Sequence, residues 1–289
     1  MERSSGGAGG GGLYVLDVVE PVLQPLRPRV PGVREVLRAH FPPGSHAYPL
    51  HTHDTWTLMV VDAGAVTYHL DRVERTAPRA AVTLLPPHVP HDGRAATVHG
   101  FRKRVVYLEA DVLAGISLDA VLARPFAADP ALVSDVAALH GALTAAPGDR
   151  ADLGAEERLA LLAEDIVARW DGPVPHAPDH AAGRVGRLRA MLDEHAVEGL
   201  SLVEAAAVLG TSAPALVRAF RTEVGITPHR YLVARRLDLA RTELLAGSSV
   251  ADAAAASGFF DQAHLARHFR RYLGVAPGSY ARSVSAGRR

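Results

Sequence analysis

Three histidines are spaced for joint chemistry. His51-Thr52-His53 places two imidazoles two residues apart, and residues i and i+2 of a strand share a face. His91 closes the run Pro86-Pro87-His88-Val89-Pro90-His91 and leads into Asp92-Gly93. Three neutral imidazoles suffice to hold Zn²⁺ or Fe²⁺ with an open coordination position. They serve equally as hydrogen-bonding groups around an organic molecule, or as structural groups within a core. His46, Tyr48 and Trp56 are neighbours that would line the same pocket, Trp56 with an equal claim to core packing. There is no cysteine, which excludes disulfides, thiolate metal sites and cysteine nucleophiles.

The chain that must position these groups has 289 residues, 48% hydrophobic and 21% charged, a globular composition. Single cores rarely grow past about 250 residues, so two domains suit this length better than one. No run of about 18 apolar residues is free of charge, so no membrane partner is expected. Residues 1–12 form a Gly/Ser tract without the apolar segment of a secretory signal, and read as a disordered tail on a cytoplasmic protein. The formal net charge is zero, but it is unevenly spread. Residues 184–289 hold 15 Arg against 9 Asp and Glu, a net +6, and residues 1–183 hold 16 basic against 22 acidic residues, a net −6. A basic final third implies a polyanionic partner for that third.

Residues 13–110 read as strands. Leu58–Val61, Ala81–Leu85 and Val105–Leu108 are short apolar runs bounded by Pro and Gly. Asp129-Pro130 is an N-cap followed by proline at the first helical position, and opens a helix through Leu139 and Leu143. A second helix is expected from Ala155, with Leu159, Leu162 and Ile166 on one face. Residues 171–183 carry three prolines within six residues and read as a semi-extended linker.

An internal repeat dominates the last third. Ser201, Glu204 and Gly210 recur 48 residues on as Ser249, Asp252 and Gly258. Leu216, Arg218, Phe220, Gly225, Pro228 and Tyr231 recur 49 residues on as Leu265, Arg267, Phe269, Gly274, Pro277 and Tyr280, which places one inserted residue just after Gly258. Each copy reads as a capping box, a short Ala-rich helix, a glycine turn, then a second helix capped by Ser212 or Asp261. Capped helix, turn, capped helix is a helix-turn-helix unit. A helix from Pro228 to Leu245 would join the two units rigidly.

On these residues the last third resembles the DNA-binding domain of AraC/XylS-type transcription regulators. The stretch Gly258–Tyr280 is close to that family's signature. The resemblance puts the second helix of each unit in a major groove. Base-facing positions then fall on Pro214, Val217 and Arg218, and on Gln262, Ala263, His264 and Arg267. Arg267 would fork onto guanine, Gln262 onto adenine, and Ala263 would touch a thymine methyl. Pro214 and Val217 offer no hydrogen bonds, so the first unit either reads through Arg218 and methyl contacts or mainly positions the domain. Arg221, Arg270 and Arg271 fall at phosphate-contact positions.

Residues 40–110 are similar to the cupin-type sensor barrels of such regulators, through His51, His53, Gly64, His91-Asp92-Gly93-Arg94 and Arg102–Tyr107. Metal-binding cupins add a Glu, and its position here is Thr57. The missing carboxylate weighs toward a metal-free pocket, so no cofactor is expected.

The fold expected is therefore α+β and multidomain: a cupin-like β-barrel at 13–110, a helical and dimerising element at 111–170, the linker, and an all-α double helix-turn-helix domain at 184–289. The resemblance implies a transcription regulator, an activator, that is no enzyme. Its expected partners are promoter DNA, a small-molecule effector in the barrel, RNA polymerase and a second copy of the chain. The competing reading is a metal-dependent cupin enzyme, a dioxygenase or isomerase, with a helical appendage; a stoichiometric redox metal would favour it.

Overall fold

The structure, a computed structural model, describes residues 20–145, 149–171 and 183–286. The expected tail at 1–12 and nearly all of the expected linker lie outside the described residues.

The first part is built from strands β1 (Val22–Leu26), β2 (Val33–Phe41), β3 (Tyr48–His51), β4 (Trp56–Gly64), β5 (Val66–Leu70), β6 (Val73–Ala77), β7 (Val82–Leu85), β8 (His91–Ala95) and β9 (Phe101–Leu108). A short 3₁₀ turn, helix α1 (Leu118–Ala123), strand β10 (Phe126–Ala127), and helices α2 (Pro130–Thr144) and α3 (Asp149–Arg169) follow. Two antiparallel sheets form, in the orders β1-β2-β9-β4-β7-β10 and β3-β8-β5-β6.

β4 is buried without alternation from Trp56 to Val61, because its sheet is covered on both faces. One face turns Leu37, Phe41, Met59, Val105 and Tyr107 toward Val66, Tyr68 and Leu70 of the second sheet. The other turns Val36, Trp56, Leu58, Val106 and Leu108 toward α2 and α3. Asp129 caps α2 as its sequence predicts, accepting from the Ala131 amide at 2.8 Å. α3 begins at Asp149, before the expected Ala155.

The apolar face of α3 belongs to this chain's own core. Leu159, Leu162 and Ile166 are buried with Trp56, Leu58 and Val60. That stripe is therefore not the surface for a second copy, and the outward apolar residues of α3 are Leu153 and Leu161.

The last part is helical: α4 (Arg184–Glu194), α5 (Leu202–Val208), α6 (Ala213–Val224), α7 (Pro228–Ala246), α8 (Val250–Ala256), α9 (Gln262–Leu273) and α10 (Pro277–Ala286). The repeat's local logic holds in both copies. Ser201 and Ser249 accept from the amides of Glu204 and Asp252, and Ser212 and Asp261 cap α6 and α9. At Gly258 the backbone is left-handed (φ +76°), and a Cβ would lie 2.3 Å from the Val197 carbonyl oxygen. Only glycine fits that turn. The inserted residue is Phe260; it projects into solvent at 92% exposure while Phe259 is buried.

The two parts share a core. Val233, Leu237 and Leu244 of α7, with Leu265, Phe269 and Tyr272 of α9, pack with the inward residues of the strands. The first helix-turn-helix unit keeps a core of its own around Leu188, Leu216, Phe220 and Tyr231. Charges stitch the seam. Arg235 of α7 meets Asp54 at 2.8 Å and Asp193 at 3.0 Å, and Asp54 also meets Arg34 at 2.5 Å. Deeper, Arg241 reaches Glu35 of β2 at 2.5 Å. No single helix among the described residues is long and apolar enough to cross a membrane.

Candidate functional site

The β3–β8 register sets His51 opposite His91, and His53 follows two residues on, just past the strand. One ring nitrogen of each lies within 4.8 Å of the others. His53 Nε2 and His91 Nε2 are 3.1 Å apart. The opposite ring nitrogens of two members are fixed by main chain: His51 Nδ1 donates to the Pro49 carbonyl at 2.7 Å, and His91 Nδ1 to the Val89 carbonyl at 3.0 Å. Burial, reinforced by the charge of the neighbouring imidazoles, holds His51 and His53 well below the usual histidine range. Burial brings His91 down to about 4. All three are neutral at pH 7.

Tyr48 joins the cluster, its ring 6.1 Å from that of His51. Trp56 does not: it is buried on the opposite face of its sheet and donates its indole N–H to the Ala110 carbonyl at 3.3 Å. That corrects its expected place in the pocket; neighbouring residues along β4 face opposite ways. His46 stands at the seam, with Nε2 3.3 Å from the Tyr272 carbonyl and its ring 5.8 Å from Tyr48.

Several groups escape sequence reasoning. Lys103, the chain's one lysine, has its ammonium 4.5 Å from the Tyr48 ring centre. It has no acidic partner among the described residues, and burial with the nearby Arg241 charge lowers it to about 8. Tyr107 lies 5.5 Å from His53, and the Arg241 guanidinium stacks over Tyr107 at 4.6 Å. A lone lysine was the available signal for the first; nothing local marks the others. Glu35 Oε1, His53 Nδ1, Thr57 Oγ1, Tyr68 Oη and Thr83 Oγ1 are buried without a hydrogen-bond partner. Buried polar atoms are almost always satisfied, which sets these five apart from the apolar core around them.

The second site is on the helices. α9 buries Leu265, Phe269, Tyr272 and Leu273, and presents Gln262, Ala263, Arg267, Arg270 and Arg271 to solvent. α6 buries Leu216 and Phe220, and presents Pro214, Arg218 and Arg221, with Val217 half-buried. No ion pair engages any of these five arginines among the described residues. Pro214 lies in the first turn of α6, where a missing N–H costs nothing. His264 is only half-exposed: its Nδ1 accepts from the Phe260 amide at 3.4 Å and its ring packs edge-on against Phe259 and His268. α7 joins the two units with 19 residues, roughly 28 Å at 1.5 Å per residue.

Comparison with known proteins matches both parts. Residues 32–163 match the AraC-like ligand binding domain, and residues 205–283 a helix-turn-helix domain. The HTH-type transcriptional activator RhaS of Yersinia pseudotuberculosis is 27% identical over 243 residues, which are 80% of this chain and 88% of that relative. The fold is similar to that of ToxT from Vibrio cholerae. A single-residue variant of ToxT in its apo form gives a TM-score of 0.61 at 10% identity, over 88% of this chain and 98% of the other. Wild-type ToxT bound to unsaturated fatty acid gives 0.57 at 11% identity, over 92% of this chain and 96% of the other. A ligand-binding β-domain and a double helix-turn-helix domain thus follow one another in a single chain, which belongs to the AraC-type transcription regulators.

Proposed function

We propose that this regulator is a transcription activator that holds a small polar effector between its two sheets and grips promoter DNA with α6 and α9. The observation that carries the DNA reading is the pair of equivalent helices with apolar faces buried and unpaired arginines exposed. Gln262, Ala263 and Arg267 are assigned to base edges, with Arg218 as their counterpart on α6. Arg221, Arg270 and Arg271 are assigned to phosphates. The exposed Phe260, beside Gln262, adds an apolar contact. Successive major grooves on one side of B-DNA are about 34 Å apart, and α7 has the length to serve adjacent ones.

The effector reading rests on the five buried polar atoms without partners, with Tyr48, His51, His53, His91 and Lys103 around them and His46 at the seam. Transmission is assigned to α7, because Arg241 reaches inward to Tyr107 while the same helix carries both DNA-binding units. The reading has no catalytic step. It places the chain in the cytoplasm as a homodimer acting on RNA polymerase, with the exposed Leu153 and Leu161 of α3 as the pairing surface.

Footprinting with increasing salt tests this. Protection of roughly two helical turns per protomer, with affinity falling steeply as salt rises, is expected because neutralised phosphates release counterions. Protection of a single half-turn would mean that only one unit enters the DNA.

A further inference from the structure

We propose that the outer face of the first sheet carries an anion site, in which Arg38, Arg102 and Arg104, with His40, hold the phosphate group of a small phosphorylated molecule.

Strand alternation sets the face. Leu37 of β2 and Val105 of β9 turn into the core shared with α7 and α9. Their neighbours Arg38 and Arg104 therefore point the other way, onto the face where Val36 and Val106 meet α2 and α3. The β2–β9 register sets Arg38 directly opposite Arg104, and His40 opposite Arg102. Opposite residues of an antiparallel pair have Cα atoms about 4.5–5.5 Å apart, so two arginines in this relation repel each other. The β1–β2 register adds Gln24 beside Arg38.

Little on this face answers the charge. Asp62 of β4 takes Arg104 at 2.6 Å, while Arg38 and Arg102 have no acidic partner among the described residues. α2, which covers the adjoining part of the face, brings His140 and not a carboxylate to Arg38 and Arg104. Burial, then the charges of those two arginines, bring His140 down to about 4, so it is neutral at pH 7. Arg38 and Arg102 remain uncompensated, on a part of the chain that is otherwise net acidic.

The shape suits a small molecule. Gln24, Arg38, His40, Asp62, Arg102 and Arg104 border a groove of about 600 Å³, a volume ordinary for small-molecule sites. A phosphate monoester carries a charge of about −1.5 to −2 at pH 7 and three strong acceptor oxygens. Guanidinium forks from neighbouring strands can meet those oxygens in pairs, and the dianion removes the repulsion between them. DNA suits the groove less well. The face is turned away from α7 and α9, and the acidic surroundings repel a polyanion. The site is separate from the effector pocket between the sheets and does not rest on that reading.

Titration calorimetry of the full chain with inorganic phosphate, at constant ionic strength set with chloride, tests the proposal. One phosphate per chain is expected. Arg38→Gln with Arg102→Gln should weaken binding by at least about tenfold, since hydrogen bonds to charged groups are lost. Both side chains are exposed, so the variant should keep the wild-type circular dichroism. Asp62→Asn should strengthen binding, because it releases Arg104; a merely structural role for these residues would not move affinity in both directions. Arg270→Gln with Arg271→Gln should leave binding unchanged, and a short duplex of random sequence should not displace phosphate from wild type. Absence of saturable uptake by wild type overturns the proposal. Uptake that survives loss of Arg38 and Arg102, or that disappears with Arg270 and Arg271, places the anion elsewhere and overturns it too. Displacement by the duplex would make the groove a nucleic-acid surface, which also overturns it.

Discussion

Arg241→Met is the substitution that most directly tests the docked arrangement of the two parts. Arg241 is 9% exposed and Glu35 only 2%, and they meet at 2.5 Å across 206 residues of sequence. Glu35 Oε1 already lacks a partner. Removing the guanidinium strips the buried carboxylate of its counter-charge and leaves only the Tyr280 hydroxyl beside it. Such a loss costs about 3–5 kcal/mol. Removing both charges is a different matter. Glu35→Leu with Arg241→Met replaces a desolvated pair by apolar volume, a change that is often neutral or stabilising. The double variant should lie within about 1 kcal/mol of wild type, a coupling of about 3 kcal/mol in a double-mutant cycle.

Urea unfolding at pH 7 provides the assay. The two tryptophans, Trp56 and Trp170, are both buried in the β-domain cluster, so their fluorescence reports that part alone. Far-UV circular dichroism reports the helices. The two transitions should coincide in wild type, because the parts share a core. The reasoning is refuted if Arg241→Met costs less than about 1 kcal/mol and the double variant matches the single one. The pair would then be bathed in water, and the seam open in solution.

Leu159→Asp with Ile166→Asp should abolish the folded β-domain by circular dichroism, because both residues are buried in its core; a folded monomer would contradict that packing. Arg267→Ala should cost roughly 1–3 kcal/mol on the preferred site and relax one base position, whereas Arg271→Ala should weaken all sequences alike; identical profiles across a site library would undo the assignment. Two aspartates of the seam should respond oppositely to pH. Burial raises Asp54, but Arg235 and Arg34 outweigh it and hold it at about 2. Its folded value lies below its unfolded one, so its contribution is full above about pH 4 and is lost as pH falls toward 2. Burial, then the Asp54 charge, push Asp238 up to about 7, so its contribution is greatest below about pH 4 and declines as pH rises to 7. Melting curves should show Asp238→Asn gaining on wild type as pH rises from about 4 to 7; a constant difference would refute the shift.

The helical third was legible because its signals are local. A serine caps an amide three residues away, a glycine turn needs one residue's φ, and Leu216/Phe220 meet one helical turn apart. The repeat stated these rules twice, and the family resemblance supplied the DNA. The pairing of His51 with His53 was equally local. Its completion was not. His91 arrives through the β3–β8 register, Lys103 from β9, and Arg241 from a helix of the other part. Trp56 could not be placed from sequence, because a strand buried on both faces carries no alternation to show which side is which. The stripe of α3 has the same ambiguity: an amphipathic helix looks alike whether its apolar face meets its own sheet or another copy. Sequence by itself determined the caps, the glycine turns and the repeated helix pair, each decided within about one helical turn. Tertiary structure decided which of those faces meet, because burial is a property of distant segments brought together and has no local signature.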